Sequence, residues 1–341
     1  MILRYSFILA GIIASLASAN SPFSQAADSL IRRGIDQTYE MAYDSALATF
    51  EKLSSDAEWT MLKPFYRAAT LQSQMMDYES NAWKDAFFQS IDLAILEGEK
   101  LLKTGGPDPW TCFYLGNAYA YKGLFQVRDG SVIPGFINAH KGIGFLQETM
   151  ELDSGFADAA IGIGSYQYWS GRFYRYLSWL PFIRDERKQG VSRIEDALQK
   201  NPFSFWIGLN SLGWIEYDRK NYHRALGLFK RGLSRFPGSR YFLWGVADCL
   251  FKMKDFEACI SVYQDLLGSI QSAPLNNGYN EAECRRKLMK AFFELGRYKE
   301  ALLHCQAILK LVPDPEIEGR IRDHRREALE IRDKALKKIG G

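Results

Sequence analysis

Apolar residues recur along most of the chain at the spacing of one face of an α-helix, and short polar turns separate the apolar stretches. The stretch that begins at Trp206 is the clearest example. There an apolar run is followed by the polar turn 218–222 and then by an amphipathic run that ends before Pro237. Residues 56–78 and 81–103 predict two longer helices. The pattern therefore predicts an all-α protein built from helix pairs.

Small and large residues recur at fixed spacings within these pairs. In the stretch from Trp206, Gly213 is followed twelve residues later by Ala225, and four residues after that by Phe229. Small residues at such positions let two helices approach closely, and the large apolar residue fills the space beside them. Parts of the same spacing occur in three other places: Gly34, Ala46 and Phe50; Ala258 and Val262; Ala301, Cys305 and Pro313.

The middle of the chain repeats at an interval of 48 residues. Residues 121–125 align with residues 169–173, and four pairs of identical residues share the offset: Gly116 and Gly164, Gly123 and Gly171, Phe125 and Phe173, Gly142 and Gly190. In each unit the helix-packing glycine and its small partner are 26 residues apart instead of twelve. This spacing predicts two long-hairpin repeats in tandem, with additional loops around Pro134 and Pro181.

These spacings resemble those of the tetratricopeptide repeat (TPR) superfamily, closely over residues 206–313 and more loosely over 28–205. The middle of the chain, with Gly171, Pro181 and Gly190, is also similar to the group that contains tetratricopeptide repeat protein 39 and the yeast inclusion-clearance protein. The resemblance implies a right-handed superhelical array of antiparallel helix pairs, a TPR-like solenoid. Its inner face would be lined by the first helix of each pair.

The pattern divides the chain into five segments. The last segment is highly charged and carries a thin apolar stripe, which suits a helix that caps the open end of an array. The predicted segments are a signal peptide over 1–19, N-terminal helical repeats over 20–104, the tandem long-hairpin repeats over 105–202, regular TPR units over 203–313 and a capping helix over 314–341.

The first residues have the pattern of a secretory signal peptide. A basic residue, Arg4, precedes an apolar run over residues 5–16, and the small residues 17–19 follow. Cleavage near Ala19 would leave a periplasmic or extracellular protein, and an uncleaved membrane anchor is the alternative. Export makes the five cysteines of interest. We expect them to be buried in helices, with a disulfide between Cys249 and Cys259 as the alternative.

Composition and motifs argue against several classes of function. The net charge of +3 gives no electrostatic reason to expect a nucleic-acid partner. HExxH, GxSxG and P-loop signatures are missing, so the sequence predicts a non-enzymatic protein without a cofactor or a metal. His223 falls in a predicted turn. His304 and His324 fall in charged helical stretches, which indicates surface or capping positions.

The resemblance to TPR proteins also assigns candidate binding residues, at the positions that line the inner face. They are Phe113, Tyr114, Asn117, Tyr121, Tyr168, Trp169, Trp214, Tyr217, Trp244, Phe251, Arg286, Lys287 and Lys290. The hypothesis is an exposed aromatic strip, ending in a basic patch, in a concave groove that holds a peptide or helix of a partner protein. Such a scaffold or adaptor would suit envelope assembly or export. Phe113 stands where the carboxylate-clamp members of the superfamily have lysine, which argues against their ligand class.

Two alternatives concern these aromatic residues. Any one of them is equally suited to packing between helices in the core. The aromatic segment 173–182 of the second long hairpin, flanked by Arg184 and Arg187, would also suit a lipid or membrane surface. A position folded back over the array is the other interpretation of that segment.

Overall fold

The computed structural model describes residues 23–53, 59–177, 185–200, 202 and 204–340, with side chains described except at 173–177. These ranges contain helices and turns and no β-strand, so the all-α prediction is confirmed. The helices are α1 (Gln25–Tyr39), α2 (Tyr43–Phe50), α3 (Leu62–Tyr78), α4 (Lys84–Gly105), α5 (Pro109–Arg128), α6 (Val132–Leu152), α7 (Ala157–Leu177), α8 (Arg187–Gln199), α9 (Phe205–Asp218), α10 (Tyr222–Arg235), α11 (Arg240–Lys252), α12 (Phe256–Gln271), α13 (Tyr279–Glu294), α14 (Tyr298–Lys310) and α15 (Arg322–Gly340).

The described helices form two compact units. Unit 1 comprises the described residues up to Met75 together with Ala82–Asp218, and unit 2 comprises Met76–Asn81 together with Arg219–Gly341. Within each unit a helix packs against the next helix along the chain, as α5 does on α6, α7 on α8, α11 on α12 and α13 on α14. The protein is therefore an array of helical repeats. The five predicted segment boundaries stay a prediction.

Three of the turns between helices share one backbone geometry. Met41, Lys254 and Gly296 have positive φ angles of 63°, 62° and 71°. In each turn the N–H of the following residue donates a hydrogen bond to the carbonyl five residues earlier, which closes the end of the preceding helix. The recurrence of this turn in both units agrees with the repeat register that the glycine and alanine spacing predicts.

Contacts between glycines explain the interval of 48 residues. Helices α5 and α6 meet at Gly116 and Gly142, and α7 and α8 meet at Gly164 and Gly190. A Cβ atom added at Gly142 would lie 2.5 Å from the carbonyl oxygen of Gly116, and one added at Gly164 would lie 2.6 Å from that of Gly190. Each long hairpin is thus closed by the same backbone approach, which admits no side chain. The two long-hairpin repeats of the predicted fold are confirmed. The loop expected around Pro134 is wrong, because Pro134 lies in the first turn of α6, and Pro181 lies outside the described residues.

This contact leads to a prediction about stability. We expect Gly142→Ala to lower the free energy of unfolding by about 1–3 kcal/mol, because the new methyl group would force α5 and α6 apart. Gly144 lies two residues along the same helix, and a Cβ there would meet nothing within 4 Å. Gly144→Ala should therefore leave stability unchanged or raise it by up to about 1 kcal/mol. Urea unfolding followed by circular dichroism measures both changes. Equal effects of the two variants would contradict this account of the hairpin.

All five cysteines lie in the described residues, where they are buried thiols and no disulfide is present. Burial raises the pKa of the Cys112 and Cys259 thiols to about 12, and that of the Cys305 thiol to about 11. Since the thiolate is the reactive form, these side chains should be inert in the folded protein at neutral pH.

We therefore expect iodoacetamide at pH 8 to leave the cysteines of the folded protein unmodified. After unfolding in guanidinium without a reductant, it should modify all five. Mass spectrometry of the intact protein counts the added groups. Two cysteines that remain unmodified until a reductant is added would instead reveal a disulfide, as the alternative for Cys249 and Cys259 requires.

Candidate partner-binding surface

The predicted binding residues of unit 1 lie in its interior. They occupy the first helices α5, α7 and α9: Phe113, Tyr114, Asn117, Tyr121, Tyr168, Trp169, Trp214 and Tyr217. None of these eight side chains is more than 6% exposed. Helices α5 and α9 carry buried residues on every side, as helices that are apolar all round do. The exposed aromatic strip expected here is therefore not present in the described structure. Contact of these residues with a partner stays a prediction.

Polar contacts join neighbouring first helices of unit 1 at two places. The hydroxyl groups of Tyr66 on α3 and Tyr114 on α5 lie 2.8 Å apart. On α7 and α9, the Tyr168 hydroxyl donates to Asp218 at 2.6 Å, and Arg172 forms an ion pair with the same carboxylate. Burial raises the pKa of both Tyr114 and Tyr168, so these hydroxyl groups stay protonated as donors. These contacts give the buried positions a structural role.

Unit 2 differs, because its predicted aromatic residues reach the surface. Trp244 and Phe251 on α11 are both half-buried. They share one side of the helix with Arg240 and Asp248, since the four residues follow at intervals of four, four and three. The same side of α13 carries Asn280, Glu283, Lys287 and Lys290. We call these eight residues the unit 2 face: Arg240, Trp244, Asp248, Phe251, Asn280, Glu283, Lys287 and Lys290.

A buried ion pair within this face joins the two helices. Lys287 Nζ lies 2.7 Å from Asp248 Oδ1, and the two side chains are 8% and 4% exposed. The Tyr263 hydroxyl donates to the same carboxylate, and the ammonium group lies 5.1 Å from the centre of the Phe251 ring. This network fixes the lateral position of α11 against α13, and with it the position of Phe251.

The expected basic patch is neutralised within the chain. Arg286 forms ion pairs with Glu283 at 2.8 Å and with Glu327 at 3.0 Å, and Lys290 pairs with Glu327 at 2.5 Å. Burial alone would raise the pKa of Glu327, but the ion pairs with Lys290 and Arg286 lower it. Together with Lys287, every predicted cation already has a carboxylate partner. The predicted basic patch is therefore neutralised in the structure. Glu327 and Asp248 lie 37 or more residues from the cations they pair with, whereas Glu283 lies three residues from Arg286. Contact of these cations with a partner stays a prediction.

The histidines are placed differently from one another. His223 is exposed and His304 is half-buried. His304 stacks on Phe292 at 5.5 Å between ring centres, and burial, followed by the charge of Arg285, lowers its pKa to about 4. His324 is only 7% exposed, and its Nε2 lies 2.9 Å from Glu283 Oε2. Of the surface and capping positions expected for His324, the surface position is wrong, because its helix packs on α13.

His304 should make stability depend on pH. An unfolded histidine takes up a proton near pH 6.5 and His304 in the folded protein only near pH 4, so the unfolded state binds more protons between these values. The free energy of unfolding should thus fall by up to about 3 kcal/mol as the pH is lowered through this range. His304→Gln should remove that contribution, whereas His223→Gln should not. Identical pH profiles of stability for His304→Gln and the wild type would contradict the assignment.

Some predicted features fall on residues or side chains that the structure does not describe, and others have no counterpart among the described residues. The signal peptide falls in residues 1–22, and the side chains of the aromatic segment 173–182 are not described. Both assignments stay predictions. Among the helices that are described, none is long and apolar enough to cross a membrane. The described residues also contain no group of three or more histidine, cysteine or acidic side chains that could hold a metal ion.

Comparison with known proteins gives structural similarities only. No protein-family model matches the chain, and no curated protein matches it. Among solved structures, the human IFIT1 dimer with m7Gppp-AAAA is similar at 12% identity and a TM-score of 0.49, over 98% of this chain and 81% of that chain. The same dimer with PPP-AAAA has 13% identity and a TM-score of 0.47, over 98% and 80%. The TPR domain of P58(IPK) has 16% identity and a TM-score of 0.29, over 92% and 80%.

Proposed function

We propose that the protein is a non-enzymatic scaffold that holds a peptide or helix of a partner protein on the unit 2 face. The observation that supports this function is the pair of half-buried aromatic residues, Trp244 and Phe251, on a face whose charged residues are fixed. Partly exposed aromatic side chains on a rigid support are the usual anchors of protein interfaces. The interior positions of unit 1 keep the helices together instead.

The chemistry of the face favours an amphipathic protein segment. Apolar side chains of the partner would pack on Trp244 and Phe251, and polar ones would meet the ion pairs of Arg286 and Lys290 with Glu327. Because the buried pair of Asp248 and Lys287 already orders the helices, little conformational entropy is lost when a partner binds.

The same charges argue against a polyanionic ligand. Binding to nucleic acid depends on cations that are free to contact phosphate groups. Lys287 and Lys290 of this face, and Arg286 beside it, are paired with carboxylates. The human IFIT1 structures contain PPP-AAAA or m7Gppp-AAAA, so an RNA of that kind is a suitable competitor in a binding test.

We also propose that the scaffold acts after export, in the periplasm or outside the cell, and that it serves envelope assembly or export. The support for this part is the pattern of residues 1–19 in the sequence. Cell fractionation with an antibody against the chain tests it, and recovery of the full-length chain in the cytoplasm alone would contradict it.

A comparison of two tryptophans tests the binding face. Trp214→Ala should lower the free energy of unfolding by about 3–5 kcal/mol, because Trp214 is buried and its loss leaves a cavity. Trp244→Ala should retain the circular dichroism of the wild type and lose at least about tenfold in affinity for the partner, which is typical for an interface anchor. Affinity capture from the native envelope identifies the partner, and titration with the purified proteins gives the affinities.

Two outcomes would contradict this proposal. If Trp244→Ala binds the partner with the affinity of the wild type, the unit 2 face is not the interface. The other outcome is that no protein ligand is found and that a triphosphate RNA binds the wild type but not Trp244→Ala. That result would show that the face binds a nucleic acid.

A further inference from the structure

A six-residue segment is bound by side chains far away in the sequence. Met76–Asn81 contains the end of α3 and the turn that follows, and it belongs to unit 2. Four residues of unit 2 make polar contacts with it: Arg240, Asn277, Asn280 and Arg320. These residues follow the segment by 163 to 241 positions. The segment is therefore held in unit 2 by tertiary contacts.

The first part of this binding site recognises a carboxylate and an aromatic ring. Arg240 donates to both carboxylate oxygens of Asp77, with Nε 2.8 Å from Oδ1, and the two side chains are 7% and 3% exposed. The same guanidinium group lies 5.7 Å from the centre of the Tyr78 ring. A hydrogen bond from Arg240 to the Ser269 hydroxyl, at 3.0 Å, fixes its orientation.

The second part recognises backbone carbonyl groups and a second carboxylate. Asn280 Nδ2 donates to the Asp77 carbonyl at 2.6 Å, and Asn277 Nδ2 donates to the Glu79 carbonyl at 3.1 Å. Arg320 donates to the Glu79 carbonyl at 3.1 Å and to its carboxylate at 2.6 Å. The site therefore combines two arginines for acidic side chains with two amides for the backbone, as a site for a peptide does.

The backbone of the bound segment turns at Glu79. Glu79 has a φ of 54°, in the left-handed region that residues other than glycine seldom adopt. Met41 and Lys254 have similar φ angles at the ends of other helices, so the turn itself is a recurrent feature of the array. The contacts of Arg320 and Asn277 with Glu79 hold this particular turn in unit 2.

The site lies at one end of the unit 2 face. Arg240 is the first residue of α11 and precedes Trp244 by one helical turn, and Asn280 is the second residue of α13. The amino-terminal ends of both helices carry partial positive charge, which adds to the preference for acidic groups. A partner segment that lies along the unit 2 face would extend onto these residues.

We infer that Arg240, Asn277, Asn280 and Arg320 form a recognition site for an acidic peptide segment. Met76–Asn81 of the chain itself occupies it until a partner segment of the same chemistry replaces it. The inference rests on the proposed function, because the site is continuous with the unit 2 face. It specifies the class of ligand, which is an acidic segment that contains an aromatic residue. It also specifies that this ligand competes with the chain's own residues Met76–Asn81.

Binding of a free peptide to the full-length protein tests this inference. The probe is a fluorescein-labelled hexapeptide, Met-Asp-Tyr-Glu-Ser-Asn, that copies the segment, and fluorescence anisotropy measures its affinity. The wild type should bind it weakly, because the tethered segment competes at an effective concentration of about millimolar order. Glu79→Gln weakens the tethered segment and should lower the apparent Kd several-fold. Asp77→Asn with Glu79→Gln should lower it at least about tenfold.

Matched controls separate recognition from a change of net charge. Asp323→Asn removes an exposed acidic group near Arg320 in the sequence and should bind the peptide as the wild type does. Arg320→Gln, added to Glu79→Gln, should abolish the gain. A neutral peptide with asparagine and glutamine in place of its acidic residues should not bind. Hydrogen exchange at Met76–Asn81 in the wild type should become faster with the acidic peptide and not with the neutral one.

Equal affinity of the wild type and Glu79→Gln for the peptide would overturn the inference, as would equal binding of the acidic and neutral peptides. No binding to the folded Glu79→Gln variant at millimolar peptide would also overturn it. The Asp77→Asn, Glu79→Gln double variant leaves Arg240 unpaired. If it loses its circular dichroism for that reason, the peptide affinity of the Glu79→Gln single variant is the deciding measurement. Trp244→Ala added to Glu79→Gln should leave the peptide affinity at the value of Glu79→Gln. The acidic site is therefore tested separately from the capture of a partner through Trp244.

Discussion

The buried ion pair between Lys287 and Asp248 determines how α11 and α13 lie against each other, and the unit 2 face exists only while that arrangement holds. Both charges are almost fully removed from water, so loss of one partner would leave the other uncompensated, at about 3–5 kcal/mol. Tyr263 supplies a further hydrogen bond to the carboxylate, and Phe251 packs beside the ammonium group. A hydrophobic contact between the helices would allow sliding, whereas this pair fixes one register.

The two units use the same repeat pattern for different purposes. In unit 1 the first helices are buried on every side, and pairs such as Tyr168 with Asp218 join neighbouring helices. In unit 2 the equivalent helices keep Trp244 and Phe251 partly exposed and place charged pairs around them. Under the proposed function, the first unit provides stability and the second provides recognition. The acidic segment Met76–Asn81 is then, by our further inference, the chain's own ligand for one end of the unit 2 face.

The sequence was sufficient to predict the local features of the fold. Close approach of two helices requires glycine, so the offsets of Gly116, Gly142, Gly164 and Gly190 predicted both long hairpins. Burial of the predicted aromatic residues could not be predicted in the same way. Periodicity identifies the side of a helix on which a residue lies, but burial depends on which other element covers that side.

The long-range ion pairs could not be predicted from the sequence, for a related reason. Lys290 and Glu327 are 37 residues apart, and Asp77 and Arg240 are 163 apart, so no helical spacing connects them. The available signal was the presence of Asp248 in the otherwise apolar part of α11, because a carboxylate at such a position needs a cation. That signal points to an ion pair without identifying its partner.

The central claim is that a partner segment lies on the unit 2 face, and site-specific photo-crosslinking tests it most directly. A photoreactive phenylalanine analogue would replace Phe251 on α11 in one protein and Leu303 on α14 in another. Leu303 is 65% exposed and lies outside the face, so it controls for accessibility. We predict that position 251 forms crosslinks to one segment of the partner and that position 303 forms none. Crosslinks from position 303 without any from position 251 would contradict the account.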